Sequence, residues 1–303
     1  KEDRNIITIK DNDSSFISFI KNYKSWLDGV SSNSSFIYPL NALFFLHFGK
    51  GHKVSMSLTN CFEAPRLFSF KKSLVRQWIS MCFSNKIDVL NDNIFNSLKN
   101  TRFSSKIYLT PGGTFVNPSD YKVGEKKNKL VFVSRFIDGK GLPELFRLIN
   151  NCWPIIKSKV PDDFVFIIAG YGELENYVVE QINILKNNKI PVEFLGYVPS
   201  KDILKSAKIV LSLQTVTNYP SRIVAESLLS GSHVLVLNSG DSAQFGEVLG
   251  LSYIDVDLDY NDISEKIIEI INDSLYDRDK IRKCAIEKFH NKEIYSYLNF
   301  LLS

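Results

Sequence analysis

Arg135 and Lys140 are the first residues placed to do chemistry. Both lie in Ser134–Gly141 (SRFIDGKG), just past a predicted strand over Leu130–Ser134 and before a predicted helix. Two fixed positive charges at a strand's carboxyl end suit an anionic group such as a diphosphate. Taken alone, the pair reads equally well as two solvated loop cations. A second strand, Phe164–Ala169, runs into Gly170, Tyr171, Gly172 and Glu173. Glycines there permit a tight turn or a close approach of backbone to ligand, though an ordinary strand–helix turn has the same composition. Gly196, Tyr197 and Val198 repeat the theme after a third strand.

A fourth strand over Ile209–Leu213 leads through Gln214–Arg222 (QTVTNYPSR) into a helix bearing Glu226. Small polar residues and Pro220 ahead of a helix leave its first amides open to a phosphate, with Ser221 at the helix start. Glu226 lies about one turn inside. It either faces a ligand, accepting hydrogen bonds from sugar hydroxyls, or is a plain solvent-facing carboxylate. The turn Asn238–Ser242 after a fifth strand either reaches the same ends or is a loop with Asp241 or Ser242 as a helix cap.

Other clusters carry less. The acidic triplets Asp11/Asp13 and Asp255/Asp257/Asp259 stand at none of these strand ends and read as solvated turns, so no metal is expected. Cys61, Cys82, Cys152 and Cys284 share no paired or zinc-type spacing and read as buried thiols of a reducing compartment. Hydrophobic residues make up 44% and charged residues 23%, which excludes a disordered chain. The charge is uneven. Residues 1–125 hold 16 Lys and Arg against 10 Asp and Glu, while the remainder is near neutral. No RNP, zinc-finger or helix-turn-helix signature accompanies that basic half, so no nucleic-acid partner is expected. Basic and aromatic residues interleave in Leu67–Lys86, which suits an anionic membrane surface or a helix packing its aromatic face on a sheet.

These residues need elements to hold them. From Lys129 onward, short apolar runs rich in Val, Ile and Phe alternate with helical spacings, the mark of parallel βα units covered by helices on both faces. Strands are expected at Leu130–Ser134, Phe164–Ala169, Val192–Leu195, Ile209–Leu213 and Val234–Leu237, with helices between them and over the tail from Ile263. The first half alternates less cleanly. Its strands are expected at Ile6–Ile9, Ser35–Tyr38, Val54–Leu58, Ile87–Leu90 and Ile107–Thr110, with helices at Ser15–Leu27, Leu40–Phe48, Lys71–Ser84 and Ile94–Asn100. The fold class is therefore α/β, with two Rossmann-like doubly wound domains. One spans residues 1–118, a linker 119–128, the second 129–285, and a final helix 286–303 is expected to return to the first domain. Such domains bind ligands in the cleft between them, at the carboxyl ends of the strands. No apolar run approaches the roughly 18 residues of a membrane span.

In order, SRFIDGKG, IIAGYGELE, FLGYVPSKDIL and a Pro/Ser turn followed by AESLLSGSHVLV resemble the donor domain of retaining glycosyltransferases of family 4, over about residues 105–300. That resemblance implies the two-domain GT-B architecture and transfer of a hexosyl-type sugar from a nucleoside diphosphate sugar, with retention and without a metal or other cofactor. The acceptor it implies is a saccharide or lipid-linked saccharide, in cell-surface polysaccharide synthesis. The expected setting is the cytoplasm, peripheral to the inner face of the membrane. Arg135 and Lys140 become ligands of the donor diphosphate and Glu226 the carboxylate for the ribose. Ser221, Arg222 and Ile223 supply main-chain amides, and Gly170, Gly172, Gly196, Tyr197 and Val198 line the donor site.

One position departs. The family carries two glutamates with seven residues between them; Glu226 matches the second, but the first falls on Asn218. No Asp or Glu lies between Asp202 and Glu226, so a shifted alignment restores nothing. Asn218 hydrogen-bonds sugars without supplying charge, and is expected as a variant of the catalytic position. A non-catalytic GT-B nucleotide-sugar-binding or partner protein is the alternative. In the first half, His47 and His52 take no catalytic role, and Asn60 and Glu63 stand at a better strand end or in a surface loop. Family members open with a strand, a Gly-rich turn and a helix, which nothing before Ile6 supplies. A missing N-terminal portion is therefore expected.

Overall fold

The computed structural model of the chain describes residues 29–33, 53–58, 78–79, 81–109 and 116–289. These belong to two compact units, one holding the described residues up to 109 and the other holding 116–289. The first unit is a parallel sheet of β1 (Gly29–Asn33), β2 (Lys53–Leu58), β3 (Lys86–Val89) and β4 (Ile107–Leu109), in that order. Its register pairs Val30 with Val54, Met56 with Ile87 and Val89 with Leu109. Helix α1 (Asp92–Leu98) starts on Asn91, whose side chain accepts from the Ile94 amide. Ile94 and Leu98 pack with Met81, Ile87, Val89 and Phe103 into a small core.

The sequence signal missed β1, because GVSSN offers no apolar alternation and is a strand through its ladder with β2. Strands expected at Ile6–Ile9 and Ser35–Tyr38, helices expected at Ser15–Leu27 and Leu40–Phe48, and Asn60, Glu63, His47 and His52 lie outside the described residues.

The second unit is a six-stranded parallel sheet. In chain order its elements are β5 (Lys127–Arg135), α2 (Leu142–Ile156), β6 (Val165–Tyr171), α3 (Glu175–Asn187), β7 (Val192–Gly196), α4 (Ser200–Leu204), β8 (Ala207–Ser212), α5 (Arg222–Leu229), β9 (His233–Leu237), β10 (Leu251–Ile254), α6 (Tyr260–Asn272) and α7 (Arg278–Phe289). Across the sheet the strands run β10-β9-β8-β5-β6-β7. That is the order of a dinucleotide-type doubly wound sheet, with its switch point between β5 and β8.

Side chains alternate across a strand, so each inner strand feeds two cores. Leu130 and Phe132 join one face with Leu145, Ile149, Ile182 and Ile267; Val131 joins the other with Val210, Val224, Leu228 and Ala285. Buried positions of α2 fall at 142, 145, 146, 148, 149, 152 and 156, the stripe of a helix lying on a sheet. The five strands expected here are present, within a few residues at their ends. Strand β10 was not expected, because LSYI is short and runs straight into an acidic turn.

Residues 119–128, whose charges and glycine read as a linker, are packed on this unit. Tyr121 is buried, and Arg282 donates to the carbonyls of Pro118 and, at 2.5 Å, Tyr121. The expected final helix 286–303 is described only through Phe289, as the last turn of α7.

Candidate functional site

The chain leaves β5 toward α2 and leaves β8 toward α5, on opposite faces of the sheet, so the two exit loops part and leave a crevice. A cavity of about 310 Å3 opens there, with Ser134, Arg135, Lys140, Gln214, Ser221 and Arg222 in its wall. Its described lining has three cations and no carboxylate.

Backbone packing sets the cations in place. Phe136, fully buried, donates its amide to the Tyr171 carbonyl at 2.7 Å and accepts from the Leu174 amide at 2.9 Å, which pins the exit of β5 beneath the turn after β6. Gly170 makes that approach feasible, since a Cβ there would stand 1.9 Å from the Ser134 carbonyl oxygen. Across the cavity, the Thr215 amide bonds the Gly139 carbonyl at 3.1 Å. Gly141 opens α2 at φ +81°, and a Cβ on it would lie 2.0 Å from the Leu213 carbonyl. The two loops are thus fastened to each other. Lys140 donates to Gln214 Oε1 at 2.5 Å, and burial, then the neighbouring Arg135, lowers its pKa. An anion in the cavity would relieve that mutual repulsion.

Helix α5 begins at the same point. Ser221 precedes it in an extended conformation, and its hydroxyl makes no cap bond. That hydroxyl accepts instead from Gln214 Nε2 at 3.2 Å. The first amides of α5 belong to residues that line the cavity and, at a helix start, have no partner within the helix. One turn on, Glu226 is 5% exposed and does not line the cavity. Its carboxylate accepts from Arg222 Nε at 2.5 Å and from Ser200 Oγ at 2.7 Å. Tyr121 completes the group; burial and then Glu226 raise its pKa.

Asn218 is fully buried and reaches no cavity wall. Its Oδ1 accepts from Ser212 Oγ at 2.7 Å and from the Gln214 amide at 3.3 Å. Its Nδ2 donates to the carbonyls of Leu237 at 2.8 Å and Gln214 at 3.0 Å. Carbonyls only accept, so they fix which end of the amide is nitrogen. The side chain clamps the loop after β8 to the end of β9, where Ser239 and Ser242 join the same network.

No family model matches the chain and no curated protein sequence matches it. Solved structures do. Over 93% of this chain and 81% of the other, it is similar at TM-score 0.70 and 15% identity to Anabaena HepE, crystallised with UDP-glucose. Over 87% of this chain it is similar at TM-score 0.64 and 20% identity to a point mutant of S. aureus TarM, crystallised with fondaparinux, α-GlcNAc-glycerol and UDP. A glycosyltransferase from Rickettsia africae matches over 98% of this chain and 82% of its own, at TM-score 0.62 and 14% identity. The match spans only about half of TarM, 54% of its length. The fold is that of the GT-B glycosyltransferases.

Within the second unit, Arg135, Lys140, Ser221, Arg222 and Ile223 come together on one cavity. Glu226 sits beside it, held by Arg222. Gly170 and Gly172 close the packing around Phe136. Tyr197, 71% exposed, meets the exposed Tyr171 edge to face at 5.2 Å; Val198 packs against the α5 side of the core. Gln214, Ser200 and Tyr121 were missed. Gln214 was legible as the first polar residue after β8, but Tyr121 lies about a hundred residues from Glu226 and gave no signal.

Other titratable groups fall away from the cavity. Asp259 caps α6, accepting from the Asn261 and Asp262 amides. His233 opens β9 at the far end of the sheet, and burial brings its pKa down to about 4. Cys82, Cys152 and Cys284 are free thiols, and Cys61 lies outside the described residues. Of the basic-aromatic stretch 67–86, the part before Trp78 also lies outside them. Trp78 packs against the first unit's core, with Arg102 5.3 Å over its ring. Among the described residues no helix is long and apolar enough to cross a membrane.

Proposed function

We propose that the chain is a glycosyltransferase that takes a hexosyl-type sugar from a nucleoside diphosphate sugar, of the uridine kind found with HepE and TarM. The observation that carries this is the cation-lined cavity at the switch point, with the open start of α5 on its wall. When the bond between the anomeric carbon and the phosphate oxygen breaks, its electron pair leaves on the diphosphate. Arg135, Lys140 and the α5 amides are assigned to that charge, since donors aimed at developing charge lower the barrier. With two cations and a helix terminus in that role, we propose that no metal is required and that configuration is retained. Retention brings the acceptor hydroxyl to the leaving group's face, where a phosphate oxygen is the nearest base for its proton. Glu226 is assigned to the ribose hydroxyls, and Tyr197 and Val198 to the nucleoside side of the site.

The acceptor we propose is a saccharide or lipid-linked saccharide, with the enzyme at the inner membrane face in cell-surface polysaccharide synthesis. The resemblance to family 4 and the basic stretch 67–86 support that reading. The test is calorimetry with UDP, then release of sugar from UDP-glucose and UDP-N-acetylglucosamine, each with and without EDTA. Binding and turnover that survive EDTA are expected. Absence of UDP binding refutes the donor site, and loss of turnover in EDTA refutes metal independence. The burial of Asn218 favours a second reading, a nucleotide-sugar-binding or partner protein, which binding without turnover would select.

A further inference from the structure

The cavity's third cation is also the partner of a carboxylate that lies outside its wall. Arg222 is the first residue of α5, its side chain is 73% exposed, and it lines the cavity. Its Nε nevertheless points back along the helix to Glu226, whose side chain is 6% exposed. The second carboxylate oxygen is taken by Ser200. Tyr121 also bonds both members of the pair, and each oxygen of Glu226 has a partner. Arg222 has two attractive positions within reach of one side chain: the carboxylate behind it, and any anion in the cavity in front, where Arg135 and Lys140 already make phosphate favourable.

We propose that Arg222 is a latch between the two halves of the donor site: it exchanges Glu226 for the diphosphate when the donor enters, releasing the carboxylate oxygen that it holds for the nucleoside's ribose. The idea rests on the donor site proposed above. The guanidinium carries five donors in a fork, so it exchanges a carboxylate for a phosphate without losing charge-assisted bonds. The consequence is coupling: phosphate binding makes ribose binding easier, and linkage makes the effect reciprocal. Arg222 is then a positioning residue for Glu226 as well as a phosphate contact.

The test uses the two fragments of the ligand, uridine and inorganic pyrophosphate, titrated separately and together by calorimetry. In the unaltered protein, saturating pyrophosphate is expected to tighten uridine binding, by roughly 5- to 20-fold within the usual range of such couplings. In Arg222→Leu, pyrophosphate binds more weakly, uridine alone binds more tightly than in the unaltered protein, and the coupling disappears. A simple fixed cation would weaken pyrophosphate and leave uridine unchanged; that outcome overturns the latch. So does independent binding of the two fragments to the unaltered protein, a measurement that needs no variant to fold. If neither fragment nor UDP binds the unaltered protein, the donor site itself fails, and the latch fails with it for that separate reason.

Discussion

Replacing Asn218 by Asp changes one nitrogen to oxygen and reverses the hydrogen-bond sense at a buried point. Nδ2 donates to the Leu237 and Gln214 carbonyls at 2.8 and 3.0 Å, so a carboxylate oxygen there would face two acceptors at contact distance. Fully buried, the group escapes by keeping its proton in the folded state. Holding a carboxyl of ordinary pKa ~3.9 neutral at pH 7 costs about 4 kcal/mol at 1.36 per unit, and at pH 5 about 1.5. A neutral carboxyl restores one of the two donated bonds, so the other adds about 1 kcal/mol. The expected loss is about 3–5 kcal/mol at pH 7 and about 1.5–2.5 at pH 5, allowing for loop relaxation. The sign follows from linkage: the folded variant holds a proton that the unfolded chain releases above ~4, so stability falls as pH rises. Thermal melts are expected to drop by roughly 6–20 °C at pH 7 and by clearly less at pH 5. If Asn218 faced the sugar, Asp would carry an ordinary pKa, leave the melts unchanged and raise transfer. Melts within about 2 °C of the parent at both pH values would refute the burial argument.

Three further outcomes follow from the second unit. Arg135→Ala is expected to cut kcat/KM for UDP-sugar hydrolysis by about 2–4 kcal/mol of transition-state stabilisation, with the melting curve little changed; unaltered turnover would remove Arg135 from the site. Gly141→Ala is expected to lose about 2–4 kcal/mol in denaturant titration, because a Cβ at φ +81° meets the Leu213 carbonyl at 2.0 Å; equal stability would show that the two loops are not fastened there. Lys126 donates to the Leu204 carbonyl and Ser232 Oγ, and burial, then Arg278, brings its pKa down to about 7. The unfolded chain binds this proton up to ~10.4 and the folded one only to about 7, so stability should rise between pH 7 and 9, by up to about 1.4 kcal/mol per unit. Lys126→Met should flatten that rise, and an unchanged slope would place the titration elsewhere.

The fold was legible where burial on both faces of a strand leaves runs such as LVFVS and FVFIIA, which no surface helix or loop carries. It was illegible where pairing alone makes the strand, as in GVSSN of β1, whose ladder with β2 is a property of the partner. Residues 119–128 were misleading for the same reason. Their charges and glycine describe a solvated linker, but Arg282 and the second core hold them by contacts from far along the chain.

For the site, strand order does most of the work. Once β5 and β8 are neighbours, the residues just past their ends must share a crevice, so Arg135, Lys140 and Ser221 could be placed together from sequence. What sequence could not supply is the direction in which each side chain turns. Asn218 and Arg222 lie four residues apart in one loop-to-helix passage. The first turns inward, because Leu237 and Gln214 present carbonyls there; the second turns back to Glu226, because helical spacing sets a carboxylate one turn below. Asn218 therefore acts on the cavity through the loop that it clamps, and Arg222 through the carboxylate with which it pairs. A substitution at 218 should move stability first, and one at 222 should move ligand coupling first. That separation of readouts distinguishes a frame from a contact within a single turn of chain.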